Sequence, residues 1–587
     1  MAGKRHKKAR QVQRQPVALP SFAARRYGVL AVFVLAGAVL VWRAVDQQIL
    51  EKDFLQSEGA DRYLDRVRQE AHRGLITDRR GEVLALSTPV DSVTANPRVL
   101  TPDTAHLTDL AKALDMPATV LRKRLERYAQ RRFVYLKKGL PPGRAEYVLK
   151  VADAFDIDGV HLEHKYRRYY PEGEVFAHVL GFTNSNDQGQ EGLERAYDKA
   201  LRGENGEKLV LRDGRRRVVD DVENIRSPRD GQNLALSIDG RLQYIAYREL
   251  KAAVHRNRAI GGSAVLLDAK TGEVLAMVNQ PGYNPNGDRS NKGGQLRNRA
   301  LTDVFEPGST MKPFVVAAAL EQGVIQASSL IDTSPGMFKV ASLTIHDHHN
   351  LGRISPQTLL ARSSNVGAAK LALSLDKAAY WRLLDALGFG KAPETGYPAE
   401  GAGRLPYFRE WVPVDQATLS YGYGISASAL QLAQAYAVLA NDGVKLPVSL
   451  LKLARAPEGE RVMGRRTALD VRHMLEAVVG QDGTAPEAQV QGYRVAGKTG
   501  TARKLGRDGE YSDDRYRSVF AGMAPVDDPR LVMAVVIDEP QGKYYYGGQV
   551  AAPVFSRVMG EALRLLNVAP DALSRPQLRL AQLGGDR

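Results

Sequence analysis

Residues 306–314 read EPGSTMKPF, a serine and a lysine three positions apart just after a Pro-Gly break. Pro307-Gly308 ends the preceding segment, and the run VVAAAL beyond predicts a helix that starts at Ser309. On a helix, positions i and i+3 share a face, so Lys312 is placed to reach the Ser309 hydroxyl. A serine hydroxyl attacks only when something takes its proton. An amine can take it only if it is neutral, which requires burial or a second cation nearby. The helix start also sets the Ser309 backbone N–H where a developing oxyanion could sit.

A lone S-x-x-K is weak, and the chain holds a second copy, Ser374-Leu-Asp-Lys377. The first copy has company. Ser363-Ser364-Asn365 follows in a helical stretch preceded by a loop, and Lys498-Thr499-Gly500-Thr501 follows on a late strand. Small neighbours Ala496, Gly497 and Ala502 would let an extended substrate pair with that strand's edge. Another K-T-G, Lys270-Thr271-Gly272, falls in a hairpin turn, where the glycine is explained by its backbone alone. Only Ser309, Ser363 and Lys498 give the order S-x-x-K, S-x-N, K-T-G. No G-x-S-x-G elbow supports a Ser-His-Asp hydrolase. His346-Asp347-His348-His349 lacks metal-ligand spacing on one helix face and reads as a polar loop.

Outward from the motif, residues 300–445 are mostly helical in pattern, including a one-face run from Ser428 to a stop at Gly443. Before them come a helix from Ser237-Ile238-Asp239 onward and a hairpin over 263–278. After them come strands at 494–503, 518–525 and 531–538 and a final helix at 552–567. Strands from both ends around a helical middle predict an α+β domain, a central antiparallel sheet flanked by helices, over 236–567. Residues 46–235 form a second α+β region, beginning with a charged, helical-pattern stalk at 46–70. Two basic runs lie in it: RKRLERYAQRRF (122–133), a solvated helix face, and LRDGRRRVVDD (211–221), a hairpin turning at Asp213-Gly214. The tail 568–587, rich in Arg, Gln and Gly, is expected to be mobile.

The formal charge of +16 arises from 82 basic and 66 acidic residues, and nine of the basic ones lie within residues 1–45, which hold no Asp or Glu. A basic arm can bind nucleic acid, but here it leads into YGVLAVFVLAGAVLVW (27–42), sixteen residues without charge or proline. As a helix this run spans ~24 Å, short of the ~30 Å hydrocarbon core, and Arg25, Arg26 and Arg43 can snorkel to make up the difference. The only A-x-A lies inside the apolar run, and cleavage after Ala44 would put Trp42 where a small residue is needed, so the segment reads as an uncleaved anchor. The expected layout is a basic cytoplasmic tail (1–26), one membrane helix (27–45) and everything beyond on the far side. The chain has no cysteine, which rules out disulfides and thiol chemistry.

NRALTDVFEPGSTMKPF (298–314), with SSN and KTGTARK, resembles the transpeptidase domain of class B penicillin-binding proteins. HRGLITDRRGEVLALS (72–87) and RRYYPEGEVFAHVLGFTNSNDQGQEGLERAYDKALRGENG (167–206) resemble two motifs of that family's membrane-proximal pedestal, except that Arg80 stands where the family usually has Asn. TDVFEPGST, LSYGYG (419–424) and YYYGGQVAAPVFSRVMG (544–560) look most like the division-specific, FtsI-type members of gammaproteobacteria. The resemblance implies a β-lactamase-like penicillin-binding fold and no metal or cofactor. It makes Ser309 the acyl-accepting nucleophile, Lys312 its general base, Ser363 a proton relay and Asn365 a ligand of the peptide carbonyl. Lys498 would supply positive field and help keep Lys312 neutral. Thr499 and Thr501, with Gly500 between them, would hold the substrate's terminal carboxylate. The N–H groups of Ser309 and Thr501 would form the oxyanion hole, and Tyr516, Tyr545 and Tyr546 an aromatic wall. The implied partners are peptidoglycan stem peptides, β-lactams as inhibitors, a SEDS-type membrane-embedded glycan polymerase (FtsW) and other division proteins at the inner membrane, with no nucleic acid. The alternatives are an elongation-specific relative, a hydrolytic β-lactamase or carboxypeptidase, and a non-catalytic β-lactam receptor or scaffold.

Overall fold

The computed structural model describes residues 23–54, 57, 63–213, 218–289, 293–506 and 510–572. Most of the basic arm, Gly214 and the tail from 573 lie outside them. The chain divides into two units. The first comprises residues up to Gln69 together with Asn205–Pro228, and the second comprises Glu70–Glu204 together with Arg229 onward.

In the first unit, helix α1 (Ala23–Val45) runs directly into a π-helical turn, Asp46–Leu50. Within Ala23–Leu50 the mean hydropathy of an 18-residue window reaches 2.2, and the helix is long and apolar enough to cross a membrane. The expected helical stalk does not extend to residue 70. Leu64–Gln69 is a strand, β1, because its backbone groups find partners on another strand, Gly206–Arg212. That strand pairs in turn, antiparallel, with Val218–Arg226, while the turn expected at Asp213-Gly214 runs into residues outside the described ones.

The second unit opens with strands β2 (Ile76–Thr77), β3 (Val83–Ala95), β4 (Val134–Leu140) and β5 (Val160–Tyr169), with helices α2 (Leu107–Ala113) and α3 (Ala118–Arg127) between β3 and β4. Leu110, Leu121, Leu125, Leu136 and Val148 share one core there. The run 122–133 is therefore not a single helix face. Helix α3 ends at Arg127, and the chain turns back into β4 from Val134. The two pedestal motifs meet through a buried ionic triad. Arg73 Nε donates to Glu194 Oε2 at 2.8 Å and Arg168 Nε to Glu194 Oε1 at 2.6 Å, with all three side chains at most 1% exposed. The Arg80 backbone N–H donates to Asp78 Oδ1 at 2.7 Å. Because the side chain of Arg80 is exposed, the turn uses only its backbone and tolerates the departure from Asn.

Asp78 Oδ2 also accepts the Gly240 N–H, 3.0 Å away, at the start of helix α4 (Gly240–Arg256). Beyond α4 come strands β6 (Gly261–Asp268) and β7 (Val274–Gln280), the anticipated hairpin. The late strands β8 (Ala496–Leu505), β9 (Tyr511–Ala524) and β10 (Leu531–Asp538) complete one antiparallel sheet in the order β7-β6-β10-β9-β8. Every residue of β6 and β7 is buried, as a sheet covered on both faces requires. Helix α4 and the last helix, Ala552–Leu565, pack on each other and on the sheet, and helix Ala429–Ala440 packs on it separately. The last of these starts with a reciprocal cap between Ser428 and Gln431. This arrangement leaves β8, which carries Lys498 to Thr501, as an edge strand.

Candidate active site

Ser309 lies in a short 3-10 turn, Gly308–Met311, which passes into helix α5 (Lys312–Glu321). Gly308 has φ +60°, a conformation that a Cβ disfavours. The turn lies against strand β8: a Cβ on Gly500 would come within 2.7 Å of the Pro307 carbonyl oxygen. The glycine of K-T-G is thus needed for close approach to the Ser309 turn, whereas Gly272 in the other K-T-G serves a hairpin turn at φ +73° and makes its close approach to the Pro447 carbonyl oxygen. Thr310 Oγ1 donates to the Pro307 carbonyl at 2.7 Å, and Tyr436 OH donates to the Thr310 carbonyl at 2.9 Å. Ser309 itself is half-buried.

Lys312 and Lys498 are both fully buried. Lys312 Nζ lies 2.5 Å from the Ser363 carbonyl, 3.0 Å from Ser363 Oγ and 2.7 Å from Asn365 Oδ1. Lys498 Nζ is 3.0 Å from the same Ser363 Oγ. The i, i+3 spacing brings Lys312 to the Ser309 turn, but the amine's hydrogen-bond partners are Ser363 and Asn365. Burial holds Lys312 well below the ordinary lysine range, the charge of Lys498 adds to the effect, and Asp347 opposes it. Burial brings Lys498 down to about 7. These contacts suit one neutral amine beside one ammonium. Neutral Lys312 has two N–H groups for the Ser363 carbonyl and Asn365, and a lone pair for the Ser363 hydroxyl proton. The Ser363 oxygen then accepts from the Lys498 ammonium.

The S-x-N residues form a junction between two helices, a sharper feature than the helical stretch expected from the pattern. Ser363 caps helix α6 (Pro356–Arg362) at φ 59°, ψ 44°, and Ser364 caps helix α7 (Asn365–Ser374). A non-glycine residue in that left-handed region costs ~1–2 kcal/mol. The junction is held by Asp347, which the spacing of 346–349 places in a polar loop. Asp347 accepts the Ser364 hydroxyl at 2.5 Å, the Asn365 N–H at 2.5 Å and the Val366 N–H at 3.0 Å. Asn365 Nδ2 donates to the His346 carbonyl at 3.2 Å, which turns its Oδ1 towards Lys312. The other S-x-x-K serves local structure: the Ser374 hydroxyl donates to the Leu371 carbonyl at 2.6 Å, closing α7.

On β8, Thr499 Oγ1 lies 2.9 Å from Thr484 Oγ1 and 3.3 Å from Lys498 Nζ. Thr501 Oγ1 accepts the Gly547 N–H at 3.1 Å, which sets Tyr545 and Tyr546 beside this end of the strand. Tyr516, paired with Arg503 in the β8–β9 register, stacks on Tyr545 at 4.3 Å, and Tyr546 packs on Tyr545 at 4.4 Å. Two further residues escaped the sequence reading. Thr484 bears no motif. Glu306, half-buried, accepts the Gly424 N–H at 2.8 Å and the Tyr511 hydroxyl at 3.0 Å, and burial raises its carboxyl above the usual range. Its position three residues before Ser309 was the one available signal.

Residues 262–560 match the penicillin-binding protein transpeptidase domain and residues 68–236 the penicillin-binding protein dimerisation domain. The chain is 41% identical over 561 residues to the peptidoglycan D,D-transpeptidase FtsI of Escherichia coli K12, covering 94% of each. It is 40% identical over 546 residues to a probable peptidoglycan D,D-transpeptidase, PenA, of Neisseria meningitidis serogroup A, covering 92% of this chain and 93% of that one. Among solved structures, the apo transpeptidase domain of penicillin-binding protein 3 from Burkholderia pseudomallei covers 58% of this chain and 98% of its own, with 45% identity and a TM-score of 0.53. Penicillin-binding protein 3 from Mycobacterium tuberculosis, complexed with aztreonam, covers 86% of this chain and 98% of its own, with 28% identity and a TM-score of 0.67.

Proposed function

Because the chain belongs to the class B penicillin-binding proteins, we propose that it is a peptidoglycan D,D-transpeptidase of cell division that works through an acyl-ester on Ser309. The observation that carries this reading is the pair of fully buried lysines, Lys312 and Lys498, sharing the hydroxyl of Ser363 at 3.0 Å each.

When its lone pair turns from the Ser363 hydroxyl to Ser309, neutral Lys312 takes the proton of Ser309 as the serine oxygen attacks the penultimate D-Ala carbonyl of a stem peptide. The negative charge that develops on the carbonyl oxygen is met by the backbone N–H groups of Ser309 and Thr501, each worth ~10²- to 10³-fold in rate. The C–N bond breaks, and the departing D-Ala amine receives its proton through Ser363. A side-chain amine from a neighbouring strand then attacks the ester, gives up a proton by the same route and releases Ser309, leaving a cross-link. Asn365 binds the peptide carbonyl of the substrate. Thr499, Thr501 and the field of Lys498 hold its terminal carboxylate, and Tyr516, Tyr545 and Tyr546 flank it. β-Lactams enter the same path and stop at the ester.

The apolar helix Ala23–Val45 anchors the protein in the inner membrane, with the basic arm on the cytoplasmic side and the catalytic domain in the periplasm. A SEDS-type glycan polymerase and other division proteins are its partners at the septum. The domain limits that accompany this reading are 46–235 for the pedestal and 236–567 for the transpeptidase. Penicillin treatment followed by peptide mass spectrometry is expected to find one drug adduct, on Ser309, absent from Ser309→Ala. Labelling that persists in that variant refutes the assignment.

A further inference from the structure

Because the basic run 122–133 turns at Arg127, its second half faces its first across a cleft of about 760 Å³, within the ~300–1,000 Å³ of sites that take small ligands. The cleft lies between the end of α2, helix α3 and strand β4. Arg124, Arg131, Lys137 and Lys138 line it, with Asp115 as the one carboxylate. Asp115 pairs with Lys137 at 3.3 Å, which leaves an excess of positive charge. Arg131 lies over the ring of Tyr128 at 5.1 Å and Lys138 over that of Tyr135 at 4.0 Å. Neither Arg131 nor Lys138 pairs with a carboxylate among the described residues, and Phe133 at the rim is 49% exposed.

Strand β4 is an edge strand, and such an edge can accept an added peptide strand. Here Arg124 donates to the carbonyls of both Tyr135 and Leu136, so acceptors that an incoming strand needs are already taken. What remains is a set of cationic N–H donors pre-positioned on aromatic rings. That chemistry suits an anionic carbohydrate, with carboxylates on the guanidinium and ammonium groups and a sugar C–H face on the exposed ring of Phe133.

We infer that this cleft is a second binding site, apart from Ser309, for uncross-linked peptidoglycan: a glycan whose stem peptides carry carboxylates. The inference rests on the transpeptidase reading, which makes this polymer the protein's substrate. Holding a strand there raises its local concentration at the catalytic domain without any change in chemistry. The contact is salt-sensitive, since its charges are exposed to solvent.

The test uses the full chain in detergent with Ser309 blocked by penicillin, so that only sites outside the catalytic centre are read. The probe is a fluorescent, uncross-linked glycan strand bearing intact stem peptides, followed by anisotropy across a salt series. Arg131→Glu with Lys138→Glu is expected to weaken binding about tenfold or more and flatten the salt dependence, while the penicillin acylation rate and melting temperature stay unchanged. A strand whose stem carboxylates are amidated should bind the wild type as weakly as the native strand binds the variant. Equal binding to wild type and variant overturns the inference, as does preference for an acidic peptide or anionic vesicles over the strand. Failed penicillin labelling of the wild type would sink the transpeptidase reading instead, so the two failures are separable.

Discussion

Asp347→Ala tests the idea that the catalytic junction is built by a carboxylate outside the three motifs. The carboxylate accepts three hydrogen bonds at 2.5, 2.5 and 3.0 Å, all at the first turn of the ten-residue helix α7. Truncation removes a charged cap worth ~1–2 kcal/mol. It also leaves the Ser364 hydroxyl proton and two backbone N–H groups short of a partner, at ~1–3 kcal/mol for any that water does not reach. Water will reach some of them because Asp347 is only half-buried, so the expected loss is ~2–4 kcal/mol, a fall of several degrees in melting temperature. Asn365 is held by this carboxylate and holds Lys312, so its displacement by ~1 Å should slow acylation ~10²-fold. Asp347→Asn separates the two effects, because its amide can still cap the N–H groups. It should recover most of the stability, yet the lost negative charge lowers Lys312 further and moves the acid limb of acylation to lower pH. Thermal denaturation and stopped-flow acylation by a fluorescent penicillin measure both. If Asp347→Ala melts and acylates like the wild type, the carboxylate does not organise the junction and the reasoning fails.

Other perturbations follow from the same contacts. Ser363→Ala breaks the link between the two lysines and should cut acylation ~10²- to 10⁴-fold, read as the rate constant at saturating penicillin. Lys498→Met should lower acylation yet raise stability at pH 7. The folded pKa of about 7 lies below the ordinary lysine value of 10.5, so the unfolded chain binds the extra proton and wild-type stability rises with pH across that window. The variant's advantage should therefore shrink at ~1.4 kcal/mol per pH unit as pH rises from about 7 towards 10.5, and a constant gap in denaturant titrations would contradict it. Gly500→Ala pushes a methyl to 2.7 Å from the Pro307 carbonyl oxygen, which should separate β8 from the Ser309 turn and cost ~1–3 kcal/mol together with most of the acylation rate. Arg73→Ala leaves Glu194 buried with only Arg168 beside it and should destabilise the protein by ~3–5 kcal/mol, measured by urea unfolding.

Much of this was legible because it is local. Sixteen apolar residues after a basic arm, the short apolar runs over 263–278 and 531–538, and the one-face run after Ser428 each specify an element within a short window. The order S-x-x-K, S-x-N, K-T-G needed no coordinates either, since its evidence lies in the joint occurrence of three motifs. Misreadings came where a neighbour distant in sequence supplies the backbone partner. Leu64–Gln69 carries enough charge to pass for helix, and it is a strand because residues 206–212 pair with it. The basic run 122–133 has helical spacing throughout, yet β4 draws its end back towards the sheet.

The sequence by itself determined that Ser309 stands before a lysine, that two further motifs follow in order, and that an apolar helix follows the basic arm. Only the tertiary structure decided how these parts meet. Residues from 309 to 501 converge because β8 from the late chain edges a sheet begun by β6 and β7, and because Gly500 lets that edge touch the Ser309 turn. Convergence buries two lysines around one hydroxyl, and the burial lowers the proton affinity of both. Asp347, Thr484 and Glu306 join the site through contacts of 15 residues and more along the chain. Such contacts leave no periodicity or motif, since their partners are chosen by the packing of helices and sheet and not by neighbours in sequence.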